Sequence, residues 1–222
     1  MNNGKNGKGI KLHPSILCAD HSDIMGEIRS LTNAGIDYFH IDVMDGDFVP
    51  NFGCGIEILK AIRRNSTTPM DVHLMINEPS RHIKLFYDIG VEIITVHPEA
   101  DRHIARTLAL IKELGAVPGI AINPGTSIES IKELLPLCGH ILVMTVNPGF
   151  YGQPFLEFTV PKIEALCKLS KEYGFSVCLD GNINAERVKR FAPMGVTNFV
   201  LGTALFNGNY LDTIQQIREE NK

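Results

Sequence analysis

Two polar residues, His40 and Asp42, interrupt an otherwise apolar and β-branched run at 38–43. They stand two positions apart, so the period-2 geometry of a strand puts both on one face. A carboxylate and an imidazole side by side in a core are costly unless an ion pair or a metal ion compensates them. A second run, Met-Asp-Val-His-Leu-Met at 70–75, offers His73, and Val-Cys-Leu-Asp-Gly at 177–181 offers Asp180 at a strand end. Two imidazoles and two carboxylates from three strands are ligand types for Zn²⁺ or a similar transition metal, whereas hard Mg²⁺ favours oxygen alone. Singly, each is as readily a core residue with a satisfied hydrogen bond. Four together favour one divalent metal ion per subunit, with zinc first and manganese, iron or cobalt as the alternatives. Four protein ligands would close a structural site, but a bound molecule offering carbonyl and hydroxyl oxygens could expand the coordination.

Asp42 and Asp180 also suit a second task. Inversion at carbon needs one group to take a proton from one face and another to return a proton to the opposite face. A metal holding the adjacent oxygens would stabilise the enediolate formed between these steps. Asp45 competes with Asp42, but it lies beyond the strand at an odd offset and, before Gly46, reads as a turn-forming Asp. Three glycine-bearing segments follow late in the chain: 147–153 (Asn-Pro-Gly-Phe-Tyr-Gly-Gln), Asp180-Gly181-Asn182 and Gly202-Thr203. Such loops hold phosphate through backbone N–H groups in barrel enzymes, although a plain turn is the alternative for any one of them. They contain no Arg or Lys, so amide dipoles and hydroxyls would do the holding. The stretch from Gly149 to Gly152 also reads as a mobile lid. Met44, Met75 and Met144 each end a strand, where core filler and a soft apolar floor under reacting carbons are both open readings.

The elements that must position these residues alternate strictly. Strands are expected at 12–17, 38–43, 70–75, 92–97, 117–122, 141–146, 176–180 and 198–201. Helices follow them: from a Ser22-Asp23 cap to a stop at Gly35, then 56–64, from Pro79 to Gly90, 103–114, 127–135, 160–173, 184–194 and from about 211. Eightfold β-α alternation predicts an α/β fold, a single-domain (β/α)8 TIM barrel over 10–222. A doubly wound open sheet is the alternative, but the glycine fingerprint expected after its first strand is missing. In a barrel, catalytic groups sit at the carboxyl ends of the strands. Ser15, His40 and Asp42, His73, His97, Asn123, Thr145 and Asn147, Asp180 and Thr203 all fall there.

Composition narrows the class. The chain has 222 residues, 44% hydrophobic, enough for one sizeable core. Its mean hydropathy is near zero, and no apolar run approaches the ~20 residues of a membrane span. A net charge of −4 without a basic run leaves no footprint for nucleic acid. Residues 1–9 are polar and rich in Gly, Asn and Lys; they read as a flexible arm or an added segment rather than a signal peptide. Five Cys without zinc-finger spacing read as free thiols, small and buried, in a reducing cytoplasm.

Pro-Ser-Ile-Leu at 14–17, His-Ile-Asp-Val-Met-Asp-Gly at 40–46, Phe-Val-Pro-Asn at 48–51, Asp-Val-His-Leu-Met at 71–75, Val-Met-Thr-Val-Asn-Pro-Gly-Phe at 143–150 with Gly152-Gln153, and Asp180-Gly181 form a specific set. In these motifs the chain resembles the ribulose-phosphate 3-epimerase family from His13 to about Phe206. The resemblance implies a metal-dependent barrel, usually a homo-oligomer (dimer or hexamer), that interconverts two ketose phosphates at carbon 3. It implies that His40, Asp42, His73 and Asp180 bind the metal and that Asp42 and Asp180 are the acid/base pair. It implies that Ser15 and His73 contact the sugar and that Met44, Met75 and Met144 line the reacting carbons. Gly149, Phe150, Tyr151 and Gly152, with Gly181, Asn182, Gly202 and Thr203, would hold the phosphate. The chain departs from the family's usual pattern at Asn182 (usually Gly), Thr203 (usually Ser) and Asp47 (usually His). His97-Pro98-Glu99, Gln153-Pro154-Phe155 and Gly-Thr are closer to an allulose-6-phosphate 3-epimerase branch. Ribulose 5-phosphate stands first as substrate and allulose 6-phosphate second. A phosphosugar decarboxylase or aldolase would need a Lys at a strand end, which is missing; a non-catalytic phosphosugar-binding barrel would be expected to have lost a ligand or a carboxylate.

Overall fold

Runs of β-branched and apolar residues too short for a helix alternate here with amphipathic stretches. In the computed structural model, which describes residues 9–221, that alternation becomes strands wrapped by helices. The strands are β1 (Lys11–Pro14), β2 (Phe39–Met44), β3 (Met70–Met75), β4 (Ile93–Val96), β5 (Val117–Ile122), β6 (His140–Met144), β7 (Ser176–Asp180) and β8 (Asn198–Leu201). All pair in parallel in one eight-stranded sheet of order β1-β8-β7-β6-β5-β4-β3-β2. The ring closes between β1 and β2, where Ser15 bridges His40 and the Asp37 amide donates to the Leu12 carbonyl at 3.1 Å. This is the (β/α)8 barrel that the alternation predicts. The expected arm over 1–9 falls almost wholly outside the described residues.

The helices are α1 (Ile24–Asn33), α2 (Ile56–Asn65), α3 (Ile83–Ile89), α4 (Ile104–Leu114), α5 (Val160–Tyr173), α6 (Ala185–Phe191), α7 (Thr203–Phe206) and α8 (Tyr210–Glu220). Several local expectations need correction. The strand expected over 12–17 ends at Pro14 and is followed by a 3-10 turn, Ile16–Cys18. The helix expected from Pro79 opens as a 3-10 turn, Pro79–Arg81, before α3. The helix expected over 127–135 is a 3-10 helix, Glu129–Leu137, with Pro136 inside it; a proline supplies no N–H for an α-helical ladder. The helix over 184–194 is α-helical only to Phe191 and then tightens into a 3-10 turn containing Pro193. Asp23 alone caps α1, accepting from the Gly26 amide at 3.0 Å, while Ser22 donates to Asp20. The four-residue α7 is too short to carry a periodic signal and was not expected. Among the described residues, no helix is long and apolar enough to cross a membrane.

The main apolar core lies between sheet and helices, where Phe39, Phe86, Phe191 and Phe199 are fully buried. Each such side chain contributes about 1.5–3 kcal/mol. The space inside the barrel is different. Its apolar residues are Ala121, Leu142, Met144, Val146, Cys178 and Val200, and they share the interior with buried His13, His40, Asp71, His73, Thr95 and His140. The outer layer therefore holds most of the buried apolar side chains, and the interior mixes a smaller apolar cluster with polar groups.

Candidate active site

Strand geometry assembles the centre. His40 and Asp42 lie on one face of β2, and the β2–β3 register sets Asp42 beside His73. Oδ1 of Asp42 is 3.3 Å from both His40 Nε2 and His73 Nδ1. Across the barrel, at the end of β7, Asp180 Oδ2 is 3.9 Å from His40 Nε2 and 3.8 Å from His73 Nδ1. One donor atom from each of the four residues lies within 4.8 Å of the others. Atoms bonded at about 2.0–2.2 Å to one tetrahedral ion stand about 3.3–3.6 Å apart, so the spacing fits a cation. His40 Nε2, fully buried and without a hydrogen-bond partner, faces this point. The four side chains fit a divalent metal ion.

The electrostatics agree with that fit. Burial opposes a charge on His40, yet Asp42 and Asp71 overcome it and hold its pKa well above the usual imidazole range. The cluster is thus built to hold positive charge. His73 goes the other way: burial pushes it down to about 4. The two carboxylates are also driven apart. Burial favours the neutral form of Asp42, but His40 and His73 outweigh it and hold the group below the ordinary carboxylate range. Burial and the charge of Asp42 raise Asp180 to about 7. Such divergence separates a base from an acid. Ser15 supports the ionised member, its hydroxyl donating to Asp42 Oδ2 at 2.6 Å.

Above the cluster opens a cavity whose walls include Ser15, Asp42, Met44, Met75, Met144 and Asp180, and, from the loops, Gly149, Phe150, Tyr151, Gly152, Gly181, Asn182, Gly202 and Thr203. The residues expected to hold the metal, the sugar and the phosphate are therefore at this mouth, with His40 and His73 beneath it, whereas His97, Asn123 and Thr145 of the strand-end set do not line the cavity. All three methionines are buried and line the cavity. Asp45 is a turn residue, accepting from the Asp47 and Phe48 amides at 2.9 Å each. Gly181 is needed at its position: its φ is 122°, and a Cβ would stand 2.7 Å from Val146. No lysine lines the cavity among the described residues.

The loops are cross-braced. Asn51 Nδ2 donates to the Gly149 carbonyl at 2.7 Å. Asn182, with φ 54°, donates through Nδ2 to the Gln153 carbonyl at 2.7 Å, and Gln153 Nε2 donates to the carbonyls of Asn147 and Phe150. Arg187 reaches back from α6 to donate to Asn182 O and Oδ1 at 2.8 Å each, its guanidinium lying over Phe155. The loops have no cation of their own, but one is tied to them from the next helix.

The sequence reading assigns no role to Asp71, Cys18 or Arg187. Cys18 lines the cavity with its thiol pushed up to about 12, first by burial. Asp71 had a signal, since it stands two residues before His73 on the same face of β3. His97 was seen at a strand end, but its partner was not.

The fold and site together define a (β/α)8 barrel with a two-imidazole, two-carboxylate centre at its carboxyl-terminal mouth, a centre that could hold a divalent ion. Residues 11–206 match the model of the Ribulose-phosphate 3 epimerase family. The chain is 41% identical over 220 residues to a ribulose-phosphate 3-epimerase of Synechocystis, covering 97% of this chain and 96% of the relative. It is 41% identical over 200 residues to that of Bacillus subtilis, covering 89% and 92%. The chain belongs to the ribulose-phosphate 3-epimerase family. Its fold is shared more widely: a 3-keto-L-gulonate-6-phosphate decarboxylase from Vibrio cholerae superposes with a TM-score of 0.71 at 15% identity, covering 96% of this chain and 97% of that one.

Proposed function

We propose that this protein is an isomerase, a ribulose-phosphate 3-epimerase that interconverts D-ribulose 5-phosphate and D-xylulose 5-phosphate. The observation that carries the reading is the pair Asp42 and Asp180, on opposite walls of one cavity with their pKa values driven apart. With the sugar between them, ionised Asp42 takes the proton from carbon 3, and the C–H electron pair moves toward the carbonyl at carbon 2. Protonated Asp180 then gives its proton to the opposite face of carbon 3, and the electron pair returns to form the new C–H bond. The carboxyls have exchanged roles at that point, and the reverse substrate meets the complementary pair.

A divalent ion held by His40 Nε2, Asp42 Oδ1, His73 Nδ1 and Asp180 Oδ2 would supply positive charge to the oxygens that become negative as the proton leaves. The mixed nitrogen and oxygen set favours zinc, with manganese, iron or cobalt as alternatives. Ser15 holds Asp42 in place through its second oxygen, and Met44, Met75 and Met144 give the reacting carbons an apolar surround. The backbone amides of the 149–152, Gly181-Asn182 and Gly202-Thr203 segments are the proposed phosphate cradle, closed on its outer side by the Asn182–Gln153 link.

The test is kcat/KM on ribulose 5-phosphate and allulose 6-phosphate in parallel, with metal-reconstituted enzyme. The expected result is a clear preference for the pentulose. A preference for the hexulose would keep the chemistry and transfer the assignment to the longer sugar, and activity on neither would overturn the reading.

A further inference from the structure

Metal ligation occupies one nitrogen of His40 and leaves the other to be explained. Nδ1 lies 3.1 Å from Oδ2 of Asp71, and the same oxygen lies 2.9 Å from Nδ1 of His13. Nε2 of His13 is 3.0 Å from Oδ1 of Asn198, whose Nδ2 donates to the Thr197 hydroxyl at 2.8 Å. His13, His40 and Asp71 are each 0% exposed. The four residues come from β1, β2, β3 and β8, contiguous around the closed ring. A chain of polar contacts thus runs from the catalytic mouth into the interior, where none of its inner members reaches the cavity.

Burying a carboxylate so fully makes sense only if its bonds do something that an apolar side chain could not. A carboxylate offers acceptors alone, so the nitrogens that meet Asp71 must carry hydrogens. For His40 this places a hydrogen on Nδ1 and makes Nε2, the atom that faces Asp42 and Asp180, the nitrogen on which a cation can take the place of a proton. Asp71 receives a second bond from His13 on the same oxygen, which pins that oxygen in line with His40. The spacing of 2.9 and 3.1 Å is that of hydrogen bonds to one shared oxygen rather than of ligands around a second ion.

We propose that Asp71, held by His13, is a positioning residue of the metal centre: it fixes the tautomer and orientation of His40 so that Nε2 is presented to the ion. The proposal rests on the reading of His40, Asp42, His73 and Asp180 as ligands. Outer partners of this kind are worth about 10–100-fold in metal affinity.

The experiment is a cobalt(II) titration of the full chain, followed by the visible ligand-field spectrum, for wild type, Asp71→Asn, His13→Leu and His13→Asn. Wild type is expected to bind one Co²⁺ per chain. Asp71→Asn should bind about 10–100-fold more weakly, with an altered spectrum. His13→Leu should weaken binding, and His13→Asn, which keeps a donor near the Nδ1 position, should restore it. Wild-type affinity and spectrum in Asp71→Asn would overturn the proposal and leave the ligand set standing. Should Asp71→Asn fail to fold by circular dichroism, equal affinity in His13→Leu and His13→Asn would overturn it instead. A wild-type chain that binds no Co²⁺ would remove the ligand set and the proposal together, and two Co²⁺ per chain would replace the hydrogen-bond role with a second ion site.

Discussion

Nε2 of His73 lies 2.7 Å from Nε2 of His97, so one imidazole must donate to the other. His73 presents Nδ1 to Asp42 Oδ1 at 3.3 Å, where, in the proposed ligand set, it would offer a lone pair to the ion. The hydrogen of His73 then belongs on Nε2, and His97 accepts it. That places the hydrogen of His97 on Nδ1, which is 3.6 Å from Glu99 Oε2. Both rings can stay neutral in this arrangement, and burial lowers the pKa of each. His97 thus supports His73 at the same centre, with the Glu99 carboxylate nearby but beyond hydrogen-bond distance.

The first prediction concerns this support. His97→Phe removes the acceptor and is expected to weaken divalent-metal binding by about 10–100-fold. His97→Gln retains an acceptor oxygen and should lie much closer to wild type. Chelator-competition titrations check both, and equal affinities for the two variants would deny His97 its role.

Asp180→Asn is expected to lower turnover by about 10²–10⁴-fold in a folded barrel. Such a variant still has Asp42, so it should exchange the carbon-3 hydrogen of one epimer with deuterated solvent while forming little of the other. Proton NMR of the substrate follows both events. Turnover at a tenth of wild type or more would remove Asp180 from the acid/base pair.

A third prediction tests the brace between the loops. Asn182→Gly tolerates the left-handed backbone at this position but deletes the bond to Gln153. A net hydrogen bond of about 1 kcal/mol corresponds to roughly fivefold in a local opening equilibrium. Chymotrypsin cleavage after Phe150 or Tyr151, exposed by 51% and 62%, should accelerate by about that factor. KM should rise more than kcat falls. Unchanged cleavage and KM would show that the 149–152 segment holds its place without Asn182.

His140 supplies a pH dependence of stability. It is wholly buried, with Nδ1 2.9 Å from the Ser176 hydroxyl. Burial lowers its pKa to about 4 from 6.5, with Asp71 opposing and His13, His40 and Lys11 reinforcing the shift. A histidine depressed by folding contributes stability that is present above its unfolded value and lost as pH falls from 6.5 toward 4. The amount at stake is about 3 kcal/mol. His140→Asn keeps a donor toward Ser176 and does not titrate. Its urea-unfolding free energy should therefore fall less than that of wild type between pH 7 and pH 4.5, and parallel curves would refute the assignment.

Several parts of the site were legible before folding. His40 and Asp42 are separated by one residue, and the pleat of a strand turns that spacing into a shared face. The order of short apolar runs and amphipathic runs leaves few topologies for a parallel sheet, which is why the barrel could be read and the strand ends located. Asp71 obeys the same two-residue rule relative to His73, but its partner His13 lies on β1, and only closure of the ring sets the two together. Pro136 and Pro193 carried their own warning about the helices they tighten.

The sequence alone thus determined which residues lie on which face and at which end of each strand, because backbone geometry makes these local properties. Only the tertiary structure decided which strands become neighbours in the closed ring and how deep each side chain lies. Closure sets His13 of β1 against Asp71 of β3, 58 positions away, and Asp180 of β7 opposite His40 and His73. It also brings Asn182 to the Gln153 carbonyl and sets Nε2 of His97 2.7 Å from Nε2 of His73. Charge, tautomer and metal affinity depend on those contacts because electrostatic energies fall off with distance through space, and a chain position specifies that distance only once the barrel is closed.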